Sequence, residues 1–130
     1  MELIHTAYRV DDLEGSRAFY EALGFEMCGR YQFEDSIYLF LGLPAEIANA
    51  TPGDPTRGAR LELIYRAPWR HAEVGPGFDH VGVAVEDLDA ALERLAAWDL
   101  RLDRPPHVPP SARVCFVRDP AGRVVELIER

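Results

Sequence analysis

Four residues able to bind a cation or move a proton occupy matching places in a repeated sequence: His5, Glu62, His80 and Glu126. Setting "IHTAYRVDDLEGSRAFYEALGF" (4–25) above "DHVGVAVEDLDAALERLAAWDL" (79–100) places His5 on His80 and Asp12-Leu13 on Asp87-Leu88 at one offset. Each copy ends on the same phrase, "LELIYR" and then "VELIER", so Glu62 corresponds to Glu126. A single strand histidine or glutamate is ordinarily hydrogen-bonded or solvated. Two of each in repeat register are a different matter, because imidazole nitrogen and carboxylate oxygen together suit a divalent ion of borderline hardness such as Zn²⁺, Ni²⁺, Co²⁺ or Fe²⁺.

The elements that must carry these residues follow from the same alignment. "LIHTAYRV" alternates and is rich in β-branched and aromatic residues, which predicts a strand. Asp11 or Asp12 caps the helix "LEGSRAFYEALG", which Gly24 ends. In the second copy "HVGVAVED" reads as a strand and "LDAALERLAAWD" as a helix with Leu88, Leu92 and Leu95 on one stripe. "ARVCFVRD" and "GRVVELIE" read as strands about the turn "DPAG" (119–122). Each unit is therefore strand, helix, three strands, an α+β fold. Alternation puts His5, Ala7 and Arg9 on one face, and likewise Glu62, Ile64 and Arg66, His80, Gly82 and Ala84, and Glu126 with Ile128. The small residues beside each histidine leave room for something other than a side chain.

The chain, residues 1–130, reads as a single domain of two repeat units, 2–66 and 78–130. At 130 residues it is long enough to withdraw roughly two-thirds of its unfolded surface from water. "GLPAEIANATPGDPTRG" (42–58) is an insertion peculiar to the first copy, and its Pro and Gly content places it in a loop. The linker "RAPWRHAEVGPG" (66–77) is too short to give the units independence, so they share a core or exchange partners between chains.

Composition removes several function classes. With 22 acidic against 14 basic residues and a formal charge of −8, no basic face is available to grip a phosphate backbone, which excludes nucleic acid. The amino-terminal "MELIHTAYRV" lacks a basic region followed by an apolar run, and no apolar stretch approaches the ~18 residues of a membrane span. A cytoplasmic protein is the expectation. Cys28 and Cys115 sit singly in apolar strands without CxxC spacing and read as buried free thiols. His71 and His107, in the linker and a Pro-rich loop, have no repeat mate and read as solvated.

At "LIHTAYRVDDLEGSRAFYEALGF", "LELIYR", "GFDHVGVAVEDLD" and "FVRDPAGRVVELIE" the chain resembles the glyoxalase I (lactoylglutathione lyase) family of the vicinal oxygen chelate superfamily, nearly end to end. The resemblance implies paired βαβββ units whose curved sheets form a metal-holding cup. It assigns His5, Glu62, His80 and Glu126 as ligands of one divalent metal per site, Ni²⁺ or Co²⁺ favoured and Zn²⁺ possible. It also implies a homodimer in which each site takes one unit from each chain.

The reaction so implied isomerises the hemithioacetal of a 2-oxoaldehyde such as methylglyoxal and a small thiol such as glutathione. The product is the thioester of a 2-hydroxy acid, reached by proton transfer through an enediolate. Glu126 is the implied base, and Glu62 serves the opposite face of the hemithioacetal. Arg9 matches the family's glutathione-contacting arginine. Arg66 departs from the family, which usually carries "YNWG" where this chain reads "YRAPW". Both arginines lie four residues from a ligand on the same strand face, ~13 Å away at ~3.3 Å per residue, and would reach the far end of a thiol. Two other readings stay open. One is another metalloenzyme of the superfamily, a methylmalonyl-CoA-type epimerase or a thiol transferase. The other is a metal-free module that sequesters a drug.

Overall fold

A computed structural model describes residues 5–48, 59–66, 80–98, 104–107 and 113–130. The chain divides into two compact units, Met1–Ala72 and Glu73–Arg130. The first runs β1 (Thr6–Arg9), α1 (Leu13–Ala22), β2 (Glu26–Phe33), β3 (Ser36–Gly42), a short α2 (Pro44–Ile47) and β4 (Ala59–Arg66). The second runs β5 (His80–Val85), α3 (Leu88–Leu95), β6 (Arg104–His107), β7 (Val114–Arg118) and β8 (Val124–Glu129). The fold is α+β, and among the described residues α2 is the one element of the first unit without a counterpart in the second. It falls in the insertion seen in the sequence; residues 49–58 of that insertion and 67–77 of the linker lie outside the described residues.

Both sheets have the same topology. Strand order is β1-β4-β3-β2 in the first unit and β5-β8-β7-β6 in the second. The opening strand pairs in parallel with the closing strand, Ala7 beside Glu62 and Gly82 beside Glu126, and the remaining pairings are antiparallel. This is why the same phrase occurs twice with a glutamate inside it. In β4 Leu61 and Leu63 are buried on the face that packs against α1, while Glu62 and Ile64 turn to the other face. In β8 Val125 and Leu127 are buried likewise, and Glu126 and Ile128 alternate with them.

The helices are fastened by matched caps. Asp12 Oδ1 accepts the Gly15 N–H at 2.9 Å, and Asp87 Oδ1 accepts the Ala90 N–H at 2.9 Å. Glu129 Oε1 accepts the Leu88 N–H at 2.8 Å, tying the start of α3 to β8. Gly24, at φ +96°, supplies the left-handed residue just past α1. Phe19 and Tyr20 on α1 and Leu88, Ala91 and Leu95 on α3 are buried.

Two expectations need correction. The stripe of α3 runs through Ala91 rather than Leu92, which is half-buried at its flank, and the helix closes at Leu95 as Ala96 N–H turns back to Glu93 O. Arg104–His107 is strand β6, not loop, although it contains Pro105 and Pro106. Proline cannot donate to a ladder, and β6 is the edge of its sheet, where that loss is tolerated. His107 accordingly pairs in register with Val114, and His71 lies outside the described residues.

Candidate functional site

Each unit carries one histidine and one glutamate in contact. His5, just before β1, places Nε2 3.1 Å from Glu62 Oε2 on β4. His80, at the start of β5, places Nε2 3.2 Å from Glu126 Oε2 on β8. The four sequence-predicted ligands thus fall into two pairs of nearly the same geometry, one per unit. Side-chain exposure is 26% and 14% for His5 and Glu62 and 35% and 21% for His80 and Glu126, so the pairs are open to an entering molecule.

An aromatic ring stands beside each pair. Phe40 lies opposite Glu62 in the β3–β4 register and meets His5 edge-to-face, 5.7 Å between centroids at 80°. Phe116 lies opposite Glu126 and meets His80 at 5.8 Å and 87°. Such contacts contribute about 0.5–1.5 kcal/mol beyond area burial and restrict the rotation of the imidazole. Inspection of the ligand types alone misses both rings, although the register of "YLFLG" with "VCFVR" lines them up. Gly82 is a further point of equivalence. A Cβ there would lie 3.7 Å from Glu126 Oε2, an ordinary contact, and the first unit has Ala7 at that place.

The first sheet continues past its pair into a cavity of about 150 Å³ lined by Arg9, Val10, Asp11, Ser36, Tyr38, Ile64 and Arg66. Arg9, Ile64, Tyr38, Ser36 and Arg66 share the face of Glu62 by register, so both predicted substrate-contacting arginines open into one space. Further along this face Tyr31 packs edge-on against Phe40, and Tyr31 and Phe33 remain 48% and 67% exposed on the edge strand β2.

The donor set fits a divalent ion. In each pair an imidazole nitrogen and a carboxylate oxygen face each other at 3.1 or 3.2 Å, a nitrogen and oxygen donor set that would suit a divalent ion of borderline hardness. His5 Nδ1 is buried without a hydrogen-bond partner among the described residues, which leaves the ring dependent on Nε2 for its polar contacts. In neither unit do three His, Cys, Asp or Glu side chains converge among the described residues. Cys115 is buried as expected but Cys28 is only half-buried; they form no disulfide among the described residues, and desolvation pushes both thiols up from their usual range, away from the reactive thiolate. No helix of the described residues is long and apolar enough to cross a membrane.

Residues 2–127 match the family described as the Glyoxalase/Bleomycin resistance protein/Dioxygenase superfamily. The chain is 30% identical to the lactoylglutathione lyase of Salmonella typhimurium over 132 residues, covering 99% of this chain and 93% of that one. It superposes on the trypanothione-dependent glyoxalase I of Leishmania major with a TM-score of 0.78 at 26% identity, covering 99% of this chain and 86% of that one. On glyoxalase I from Zea mays the TM-score is 0.80 at 27% identity, and the chain spans 99% of its own length but 44% of the maize chain. Because these likenesses run through both units and nearly end to end, the chain belongs to the Glyoxalase/Bleomycin resistance protein/Dioxygenase superfamily, as a glyoxalase I-like lyase.

Proposed function

We propose that the protein converts the hemithioacetal of a 2-oxoaldehyde such as methylglyoxal and a small thiol such as glutathione into the thioester of a 2-hydroxy acid. The observation that carries this reading is the recurrence of a His–Glu contact at 3.1 and 3.2 Å on equivalent strands of both units. His5, Glu62, His80 and Glu126 would together hold one divalent ion, Ni²⁺ or Co²⁺ before Zn²⁺, and that ion would supply Lewis acidity to an oxygen-bearing substrate.

The chain's own groups move the proton. The Glu126 carboxylate takes it from C1, the bonding pair stays with the substrate as an enediolate, and the same proton returns at C2, so no oxidant or reductant is needed. Glu62 serves the opposite face. His5 and His80, each held at Nε2 by its carboxylate and flanked by phenylalanine, keep the two carboxylates aimed. Arg9 and Arg66 receive the far end of the thiol.

Each unit supplies half a ligand set, which supports a homodimer that completes each site with the first unit of one chain and the second of the other. The two free cysteines fit a reducing compartment, the cytoplasm, where such thiols are kept. The test is metal analysis of protein purified without chelator, followed by an ultraviolet thioester assay with methylglyoxal and glutathione. We expect near-stoichiometric divalent metal and a loss in kcat of about 10²–10⁴-fold in Glu126→Gln. Full activity in Glu126→Gln, or no thioester from any thiol with Ni²⁺, Co²⁺ or Zn²⁺ supplied, would overturn the proposal.

A further inference from the structure

We infer that β2, the outer edge of the first sheet, is a self-complementary strand that pairs antiparallel with β2 of a second copy, the two-fold axis passing between the two Tyr31 residues. The four edge strands are not alike. β1 and β6 are four residues long, and β6 is further blunted by Pro105 and Pro106, which have no N–H to offer an approaching strand. β5 has six residues. β2 runs for eight, Glu26–Phe33, without a proline, and it carries Met27, Tyr31 and Phe33, three of the four exposed large hydrophobic side chains among the described residues. Its one irregularity, the register shift between Met27 and Gly29, leaves Gly29–Phe33 a regular ladder against β3.

Which main-chain groups point outward follows from the turn. Glu34, at φ 51°, and Asp35 close a two-residue hairpin on Phe33 and Ser36. Counting back from that closing pair, Phe33, Tyr31 and Gly29 direct their N–H and C=O to β3, and those of Gln32 and Arg30 face away from the sheet. A two-fold pairing has to set these outward residues opposite one another. Centred on Arg30 it would oppose two guanidiniums; centred on Gln32 it would draw the turn residue Glu34 into the ladder.

Centred on Tyr31 it sets Gln32 against the other copy's Arg30, forms about four main-chain hydrogen bonds, and lays each Phe33 over the other copy's Gly29, which has no side chain to obstruct it. No like charges face each other in that register. Tyr31 and Phe33, half and two-thirds exposed in the single chain, are then covered. Arg30 keeps Glu14 of α1, 3.4 Å away, on the face opposite Tyr31. The pairing is independent of the proposed reaction, since none of His5, Glu62, His80 and Glu126 lies on β2.

Sedimentation equilibrium over a concentration series tests it on the full-length protein. Arg30→Pro removes one outward donor from each copy without touching the β2–β3 ladder and should weaken association about 30-fold. Tyr31→Lys places two like charges across the axis and should do the same. Arg30→Ala, which loses the Glu14 contact but keeps the donor, should associate like the wild type. The wild type and Arg30→Ala should therefore reach at least twice the mass of the other two. Mild oxidation of Tyr31→Cys in a Cys28→Ser background should link two chains, because the residues facing across the axis are about 4.5 Å apart at Cα, within disulfide range. Equal masses for all four proteins at every concentration would overturn the pairing. Linking through Gln32→Cys in that background, with none through Tyr31→Cys, would overturn its register.

Discussion

Two residues beyond its glutamate, the first sheet presents Ile64 with Arg9 and Tyr38 alongside; the second presents Ile128 with Ala84 and Val114. Up to that point the sheets agree closely. Both hold a His–Glu contact near 3 Å, both set a phenylalanine edge-on to the imidazole, and both cap their helix with an aspartate. The His–Glu pair is common to both units, and the cavity beyond it is lined by residues of the first. A duplicated fold can therefore keep a matching His–Glu pair in both copies while one copy alone carries polar side chains beyond it.

The sharpest way to break this comparison is to damage one half at a time. His5→Ala and His80→Ala should each abolish most activity, because each removes a ligand from a small shell. If each site joins the first unit of one chain to the second of another, mixing the two inactive variants and allowing subunit exchange should restore activity in the ultraviolet assay. One site of the mixed dimer then carries both lesions and the other neither. Activity remaining near zero with mixed dimer demonstrably present would show that each chain completes its own site.

The aromatic rings offer a finer test of equivalence. Phe40→Leu and Phe116→Leu keep apolar volume and remove the edge-on contact, worth about 0.5–1.5 kcal/mol, so each should weaken metal retention roughly two- to tenfold. Equilibrium dialysis against a weak chelator measures this without relying on turnover. Equal losses would confirm that the ring has the same task in both units. A loss confined to Phe40 would assign it to the aromatic strip that Tyr31 continues.

The smallest expected effect comes from the helix starts. Gly15 and Ala90 receive equivalent caps, yet a Cβ on Gly15 would meet Asp12 Oδ2 at 2.1 Å. The second unit accommodates a Cβ at that place, and the obstruction is the movable end of a side chain. Gly15→Ala should therefore stabilise the protein by about 0.5–1 kcal/mol in urea unfolding once the carboxylate turns. Destabilisation by about 1 kcal/mol would mean that the cap had been lost instead.

Much of this was legible in the chain itself because the repeat supplied a second measurement of every position. A lone "LELIYR" could be any amphipathic strand; its echo in "VELIER", closing a second copy that opens on an equivalent histidine, marks Glu62 and Glu126 as one set with His5 and His80. Alternation then gave the face, which the Leu61–Glu62–Leu63 burial pattern bears out. The rings of Phe40 and Phe116 were not found, since an aromatic in an apolar strand carries no signal of its own until its cross-strand neighbour is known. The strand at Arg104–His107 was hidden by its prolines, whose cost depends on an edge position that only the topology reveals. The cavity, too, depends on tertiary placement, because Ser36, Tyr38 and Asp11 join the arginines from separate elements.

The parallel pairing of each unit's opening strand with its closing strand has a consequence for local unfolding. Phe40 and Glu62 come together within an antiparallel β3–β4 pair, but His5 arrives from the far end of the unit, just ahead of the four-residue edge strand Thr6–Arg9. The second unit repeats the plan with His80 on its own edge strand. Edge strands held on one side are the first to fray, and closing such a long loop is entropically late in folding. Detachment of that strand would separate histidine from glutamate while Phe19, Tyr20, Leu39 and Leu63 could stay packed in the core. Any ligand bridging the pair would act as a clasp on a strand held along one side, and its apparent affinity would fall by the fraction of molecules in which that strand is undocked.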